Sequence, residues 1–505
     1  MKLVRMIGGL TTGLIGIMLM GCGATEASKP IDEVRVGNQV MGVSVHDPAV
    51  VKEDGKYYIF GSHMAAAVSE DLRSFKSFAN GVNAGNKLFD NLFTGDMEAF
   101  SFVGKFTDGG YAVWAPDVMY NPVMEKWVMY FSCSHDYRTS NICMATADDI
   151  QGPYSYQETL LYSGYSNLNV DKTNFYEILG EDANVKDYLN GGQYNNMAYP
   201  NCIDPGVFCD EDGRLWMVYG SWSGGIWLLE LDESTGLPIH PKADKENHVD
   251  PYYGQYLIGG FHQSCEGPYI IYDETSSYYY LFVSYGGLTR EGGYQIRQFR
   301  SDKVTGPYVD TTGETFGYTG KHEKAGLKVM GNYDFPSLKT AYMAPGHCSV
   351  LQDDDGRIYL VHHTRFDSGS EYHEPRVRQM FMNEDGWLVA APFATVGEQL
   401  SESGYENEKA ISGTYYFVNH GTDISSEIHD AKEVYLKKDG SLEGTDGTKG
   451  TYQITSGTNY VTITLGEAVY KGVIVEMQDE AGNPVRCITA VGNNNESIWG
   501  VLYLQ

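Results

Sequence analysis

Three carboxylates stand at the starts of similar aromatic stretches, where their types and surroundings suit acid–base chemistry. Asp47 lies in His46-Asp47-Pro48, Asp204 in Ile203-Asp204-Pro205 and Glu266 in Glu266-Gly267-Pro268. Hydrolysis of a glycosidic bond needs such a set. One ionised carboxylate takes a proton from water, and one protonated carboxyl gives a proton to the leaving oxygen. In the inverting form of the reaction the two stand about 6.5–9.5 Å apart, leaving room for the water. Asp47, Asp204 and Glu266 are the candidates for these roles, and burial beside another negative charge would raise the pKa of the one that acts as the acid. His347 opens a fourth stretch, in Ala344-Pro345-Gly346-His347. His46, Trp114, Asn201, Ser221 and Trp222 are candidate sugar contacts. Each motif alone has a plainer reading: Asp-Pro and Glu-Gly-Pro as turn punctuation, His347 as a hydrogen-bonded core histidine. The aligned set is what points to a site.

The elements that must position these residues recur along the chain. Asp204 leads through Asp212-Gly213 to Leu215-Trp216-Met217-Val218-Tyr219, and Asp47 leads through Asp54-Gly55 to Tyr57-Tyr58-Ile59-Phe60. His347 leads through Asp355-Gly356 to Ile358-Tyr359-Leu360-Val361, and looser copies start at Trp114 and Glu266. Each copy is a hairpin of β-formers around a glycine-containing turn. Such hairpins bury both faces by packing radially, which predicts an all-β, five-bladed β-propeller. The first strand of each blade then lies nearest the axis, so the five strand starts meet at one mouth.

The propeller is expected over 40–398. Beyond Glu398 the aspartate-turn repeat ends and short alternating strands begin, such as Tyr460-Val461-Thr462-Ile463-Thr464-Leu465. Residues 399–505 read as a small C-terminal β-barrel or β-sandwich domain. The polar stretch from Tyr165 to Asn196 is expected as a long loop over one face. The chain of 505 residues has a formal charge of -30. That disfavours nucleic acid and anionic polysaccharide as partners and is compatible with a neutral glycan. Seven cysteines follow Cys22 without metal-site spacing, and most lie in apolar strand runs, so no disulfide framework is expected. Residues 1–22 read as an export signal: Lys2 and Arg5, an apolar run, then Leu19-Met20-Gly21-Cys22. Residues 23–39 read as a flexible tether.

These motifs, in this order, resemble glycoside hydrolase family 43, and within it the extracellular endo-1,5-α-L-arabinanases of the two-domain type. The resemblance implies that Asp47 is the base, Asp204 the residue that tunes the acid and orients substrate, and Glu266 the acid. It implies that Trp114-Ala115-Pro116-Asp117 faces substrate and that His347 binds a central calcium, with waters completing the shell. Arg376-Val377-Arg378-Gln379 and Asn383-Glu384-Asp385-Gly386-Trp387 resemble the terminal blade. Leu-x-Gly-Cys resembles a bacterial lipobox, which implies a lipid on Cys22 and a monomeric enzyme on the outer face of a membrane, held there only by that lipid. The expected substrates are arabinan and arabino-oligosaccharides. An exo-acting α-L-arabinofuranosidase or β-xylosidase is the alternative within the fold. A non-catalytic glycan-binding lipoprotein is the alternative outside it.

Overall fold

Runs rich in Val, Ile, Tyr and Phe pair around tight turns from residue 49 to residue 390, because such side chains suit a pleated, half-buried surface. At Asp54-Gly55 both residues take positive φ, 49° and 73°, as a two-residue hairpin turn of type I′ requires. The structure, a computed structural model, describes residues 28–317 and 322–505. The export signal and Cys22 lie outside the described residues.

Five sheets form the blades of a propeller. Their innermost strands are Ala49–Glu53, Ala112–Asn121, Gly206–Cys209, Glu266–Asp273 and Tyr342–Gln352. These five strands neighbour one another in a ring, with the fifth back against the first. The ring closes through side chains. Met41, Val43 and Val45 bury themselves with Tyr359, Val361 and Val377. Ser349 Oγ accepts from the Val50 amide at 3.1 Å, and Asp353 accepts from Tyr57 at 2.7 Å and from Lys52.

The C-terminal unit is a closed barrel of eight strands, so the sandwich alternative is set aside. The last strand, Ser497–Tyr503, returns to pair with the first, Gly413–Asn419, through partners such as Tyr416 and Val501. Barrel and propeller share one buried cluster. Val418, Val473, Val475, Trp499 and Val501 pack with Tyr280, Phe282, Leu388, Val389 and Phe393. Between the first two barrel strands the chain leaves the barrel, and His429–Asp430 lies parallel to Tyr333–Asp334 at the edge of blade five.

Two expectations need correction. The described part of the tether, 28–39, is pinned rather than free. Lys29 donates to the Tyr503 carbonyl at 2.8 Å, Gly37 to the Ser337 carbonyl at 2.9 Å, and Gln39 to Glu480 at 2.9 Å. Composition suggested a spacer, but backbone donors beside a sheet end find acceptors. The stretch 165–196 is also more than a loop. It holds the helix Phe175–Leu179 and a small ribbon, and Tyr165, Phe175, Tyr188 and Tyr194 bury themselves with Tyr252 and Tyr253 of blade three. The seven described cysteines are unpaired, six of them buried and Cys209 exposed.

Candidate active site

A bulge at the start of the innermost strands builds the site. One residue in each blade takes the left-handed region: Asp47, Ala115, Asp204, Gly267 and His347, with φ of 53°, 36°, 58°, 57° and 44°. Asp, His and Gly enter this region more readily than most residues. The residue drops out of the strand ladder, as the register shifts at Trp114/Asp117, Glu266/Tyr269 and Gly346/Cys348 record. Its freed amide then donates to the preceding blade. Ala115 donates to Ser62 Oγ at 2.9 Å, Asp204 to Ser132 Oγ at 3.2 Å, His347 to Ser284 Oγ at 2.7 Å and Asp47 to His363 Nδ1 at 3.3 Å. The acceptors occupy matching places on second strands, since Ser132 pairs with Trp114, Ser284 with Glu266 and His363 with Gly346. In blade three the matching residue is Gly220, which has no side chain to offer. There the Gly267 amide donates to Asp204 Oδ2 itself, at 3.2 Å.

The repeat reading of Glu266 is therefore off by one residue. Gly267, not Glu266, matches Asp47 and Asp204. Glu266 shares its place with His46 and Trp114, so its side chain leaves the strand in a different direction. An αL residue after it is what makes room: a Cβ at Gly267 would lie 2.9 Å from the His347 ring.

Asp47 is buried and held from several sides. Oδ2 lies 2.8 Å from His46 Nδ1 and accepts from Ser62, and Oδ1 lies 3.1 Å from His347 Nδ1. Burial opposes its charge, but His347 and His46 outweigh it and hold the carboxyl well below the usual range. Glu266 is treated oppositely. Burial pushes its pKa up and the Asp47 charge adds to this, while Tyr294, His347 and Ser221 act the other way. Ser221 Oγ and Trp222 Nε1 donate to Glu266 Oε2 at 3.0 and 2.8 Å. Asp204 is pushed up to about 7, by burial first and then by Glu266 and Asp47, against the pull of His347. One carboxyl held toward its ionised form and one pushed toward its protonated form thus belong to one cluster.

His347 stands among these acids. Burial disfavours its charge, yet Asp47, Asp204 and Glu266 push it up to about 9. With Nδ1 turned to Asp47 at 3.1 Å, Nε2 is the ring nitrogen left for another ligand. One imidazole nitrogen and carboxylates able to hold waters fit a cation that keeps most of its water shell. Proton and cation would compete for Nε2.

Several candidate sugar contacts also have partners within the protein. Asn201 is buried and uses its amide on both sides, accepting from Ser163 at 3.1 Å and donating to the Tyr137 carbonyl at 3.2 Å. Ser221 spends its hydroxyl on Glu266, and Trp222 its indole N–H. His46 stacks on His363 at 4.0 Å between rings and lies 3.5 Å from an Arg365 guanidinium nitrogen, so it braces Asp47. Trp114 keeps a half-exposed face beside His63 and Phe106, at ring distances of 4.7 and 5.7 Å. Sequence reading missed Ser62, Tyr294, His363 and Arg365. His362-His363 with Arg365 was a visible signal, a run of three polar rings and charges inside an apolar strand.

Residues 36–177 and 188–388 match the profile described as Glycosyl hydrolases family 43, and 392–500 match a C-terminal lipocalin-like domain of that family. The chain belongs to glycosyl hydrolase family 43. Two relatives are similar along nearly their whole length. Extracellular endo-alpha-(1->5)-L-arabinanase 2 of Bacillus subtilis is 37% identical, covering 91% of this chain and 92% of the relative. The extracellular endo-alpha-(1->5)-L-arabinanase of Thermotoga petrophila is 35% identical, covering 90% and 93%. The crystal structure of the endo-1,5-alpha-L-arabinanase from Thermotoga petrophila superposes with a TM-score of 0.78 at 34% identity, covering 93% of this chain and 100% of that one. In this family 43 chain the two matched regions correspond to the propeller and the barrel.

Proposed function

We propose that this glycoside hydrolase cuts α-1,5-linked L-arabinofuranose chains internally, with inversion at the anomeric carbon. The opposite shifts of Asp47 and Glu266, one carboxyl eased toward ionisation and the other toward protonation within one cluster, carry the hydrolytic reading. Likeness to endo-arabinanases along both domains supports the substrate and the endo pattern. Asp47 takes a proton from water, and the oxygen attacks C1 of the sugar. The C1–O bond breaks, and Glu266 gives its proton to the departing O5. Asp204 holds the Gly267 amide and so the strand that carries Glu266. His347 would hold calcium through Nε2. Bound there, the ion adds positive charge among three carboxylates and so orders the waters and groups around them.

Debranched arabinan is the test substrate. Brief digestion should yield a ladder of oligosaccharides, and chelation should slow it until calcium is restored. Arabinose as the sole early product would favour the exo-acting alternative. Unimpaired digestion by metal-free protein would remove the calcium assignment.

The same proposal anchors the enzyme outside the cell through a lipid on Cys22, supported by the Leu19-Met20-Gly21-Cys22 motif and by relatives named extracellular. Cys22→Ser should move the protein from the membrane fraction to the soluble one. Retention of the variant on the membrane would count against the anchor.

A further inference from the structure

We infer that the barrel's excursion at 420–428 is a positioning device for the catalytic acid, acting through Asp423, Gln295 and Tyr294; this rests on the reading of Glu266 as the acid. The residue beside the site is Tyr294, which is buried and whose hydroxyl is among the groups that pull the Glu266 pKa down. Its ring also packs on Gly346, where a Cβ would lie 2.1 Å from the ring, and stacks 5.7 Å from His363. A tyrosine this tightly placed has its position set by the strand it leads into, Gln295–Ser301.

That strand is held from the barrel. Gln295 follows Tyr294 and is fully buried. Its Nε2 donates both to the Gly293 carbonyl at 3.1 Å and to the Asp423 carbonyl at 2.8 Å. Arg297 Nε donates to Gln295 Oε1 at 2.9 Å, and its Nη2 to the Thr422 carbonyl at 2.6 Å. Lys328, also buried, donates to the Asp423 carbonyl at 3.0 Å and lies 3.1 Å from Asp423 Oδ1. Two successive carbonyls of the excursion therefore receive three buried side chains of blade four. The Asp423 carboxylate fixes the excursion in turn, meeting His429 Nε2 at 3.1 Å and Ser425 Oγ at 2.6 Å.

The fit at Gly293 is close as well. Its φ is +72°, and a Cβ there would lie 2.8 Å from the Ser425 carbonyl oxygen. The same turn is tied to the segment that leads into the acid's strand, because the Gly286 amide donates to Ser264 Oγ at 2.9 Å, two residues before Glu266. Backbone of the barrel, the turn 286–293 and Ser264 thus form one chain of contacts that reaches the segment leading into Glu266, with Tyr294 beside it. Nothing in the hydrolysis itself needs the barrel to reach blade four at this place.

Leaving-group dependence separates this role from a general structural one. A good leaving group departs without a proton, so a displaced acid slows only substrates with a basic leaving oxygen. Full-length Asp423→Ala should lose about 10-fold in kcat on debranched arabinan with KM unchanged, and less than about 2-fold on a 2,4-dinitrophenyl α-1,5-arabino-oligosaccharide. Asp423→Asn, which keeps a side-chain acceptor, should recover most of the loss. Gln295→Leu should show the same selective loss, and it decides the matter if Asp423→Ala does not fold. Glu266→Gln runs alongside: selective loss in that variant upholds the acid assignment whatever the others do. With that control in hand, equal losses on both substrates, or none, in Asp423→Ala and Gln295→Leu would overturn the inference.

Discussion

Asp47→Asn should reduce kcat on arabinan by roughly 1,000-fold or more, because no other ionised carboxylate stands ready to take the water's proton. His46, Ser62 and His347 spend their contacts on Asp47, so they cannot replace it. Glu266→Gln should cost a similar factor on arabinan, since an amide cannot protonate O5. The pH dependence follows from the two carboxyls. Asp47 must be ionised, and its pKa is depressed, so kcat/KM should fall only below the ordinary carboxylate range. Glu266 must be protonated, and its pKa is raised, so activity should be lost as pH rises through a value above its ordinary one. Steady-state rates across pH on purified variants check this. An Asp47→Asn protein with a tenth of normal activity would remove Asp47 as the base, and an alkaline limb unchanged by Glu266→Gln would remove Glu266 as the acid. Fresh product examined by NMR should be the β-anomer first.

A chain ended at residue 398 should fail to give a folded propeller. Deleting the barrel strips Trp499, Val418, Val473 and Val501 from the cluster that covers Tyr280, Phe282, Leu388 and Phe393. It also removes the carbonyl acceptors of Arg297 and Lys328 and the Trp499 ring that lies 5.3 Å from the Arg378 guanidinium. Each buried donor left unsatisfied costs about 1–3 kcal/mol, more when charged, against a total stability of only about 5–15 kcal/mol. The truncated protein should be insoluble or melt without cooperativity. A soluble 1–398 fragment with a sharp thermal transition would show that the shared cluster is not needed. This outcome differs from the Asp423 variants, which retain the cluster and alter only the reach of the excursion.

Residue order along the chain determined much of this protein. The aspartate-glycine turns and alternating β-formers are local signals, and they were enough to count five blades and to see a second β unit begin past Glu398. The carboxylates were legible for the same reason: Asp-Pro and Glu-Gly-Pro recur at the heads of those hairpins. What tertiary structure decided depends on groups far apart in the chain. Barrel and sandwich share one strand pattern, and the pairing of the last strand with the first, as at Tyr416 and Val501, separates them. The place of Glu266 depends on a bulge whose left-handed residue is Gly267, which alternation alone does not reveal. Asn201, Ser221 and Trp222 are candidate sugar contacts because polar and aromatic residues near a site suit that role, and only the tertiary structure shows what else they hold. Their hydrogen bonds are spent on the protein, and Ser221 and Trp222 on Glu266, 45 and 44 residues away. The ring of amides donated from blade to blade, the pinned segment 28–39 and the barrel's hold on blade four are likewise contacts between distant segments. Hydrogen-bond geometry across such distances is set by how blades and barrel pack, and no local pattern of residues encodes it.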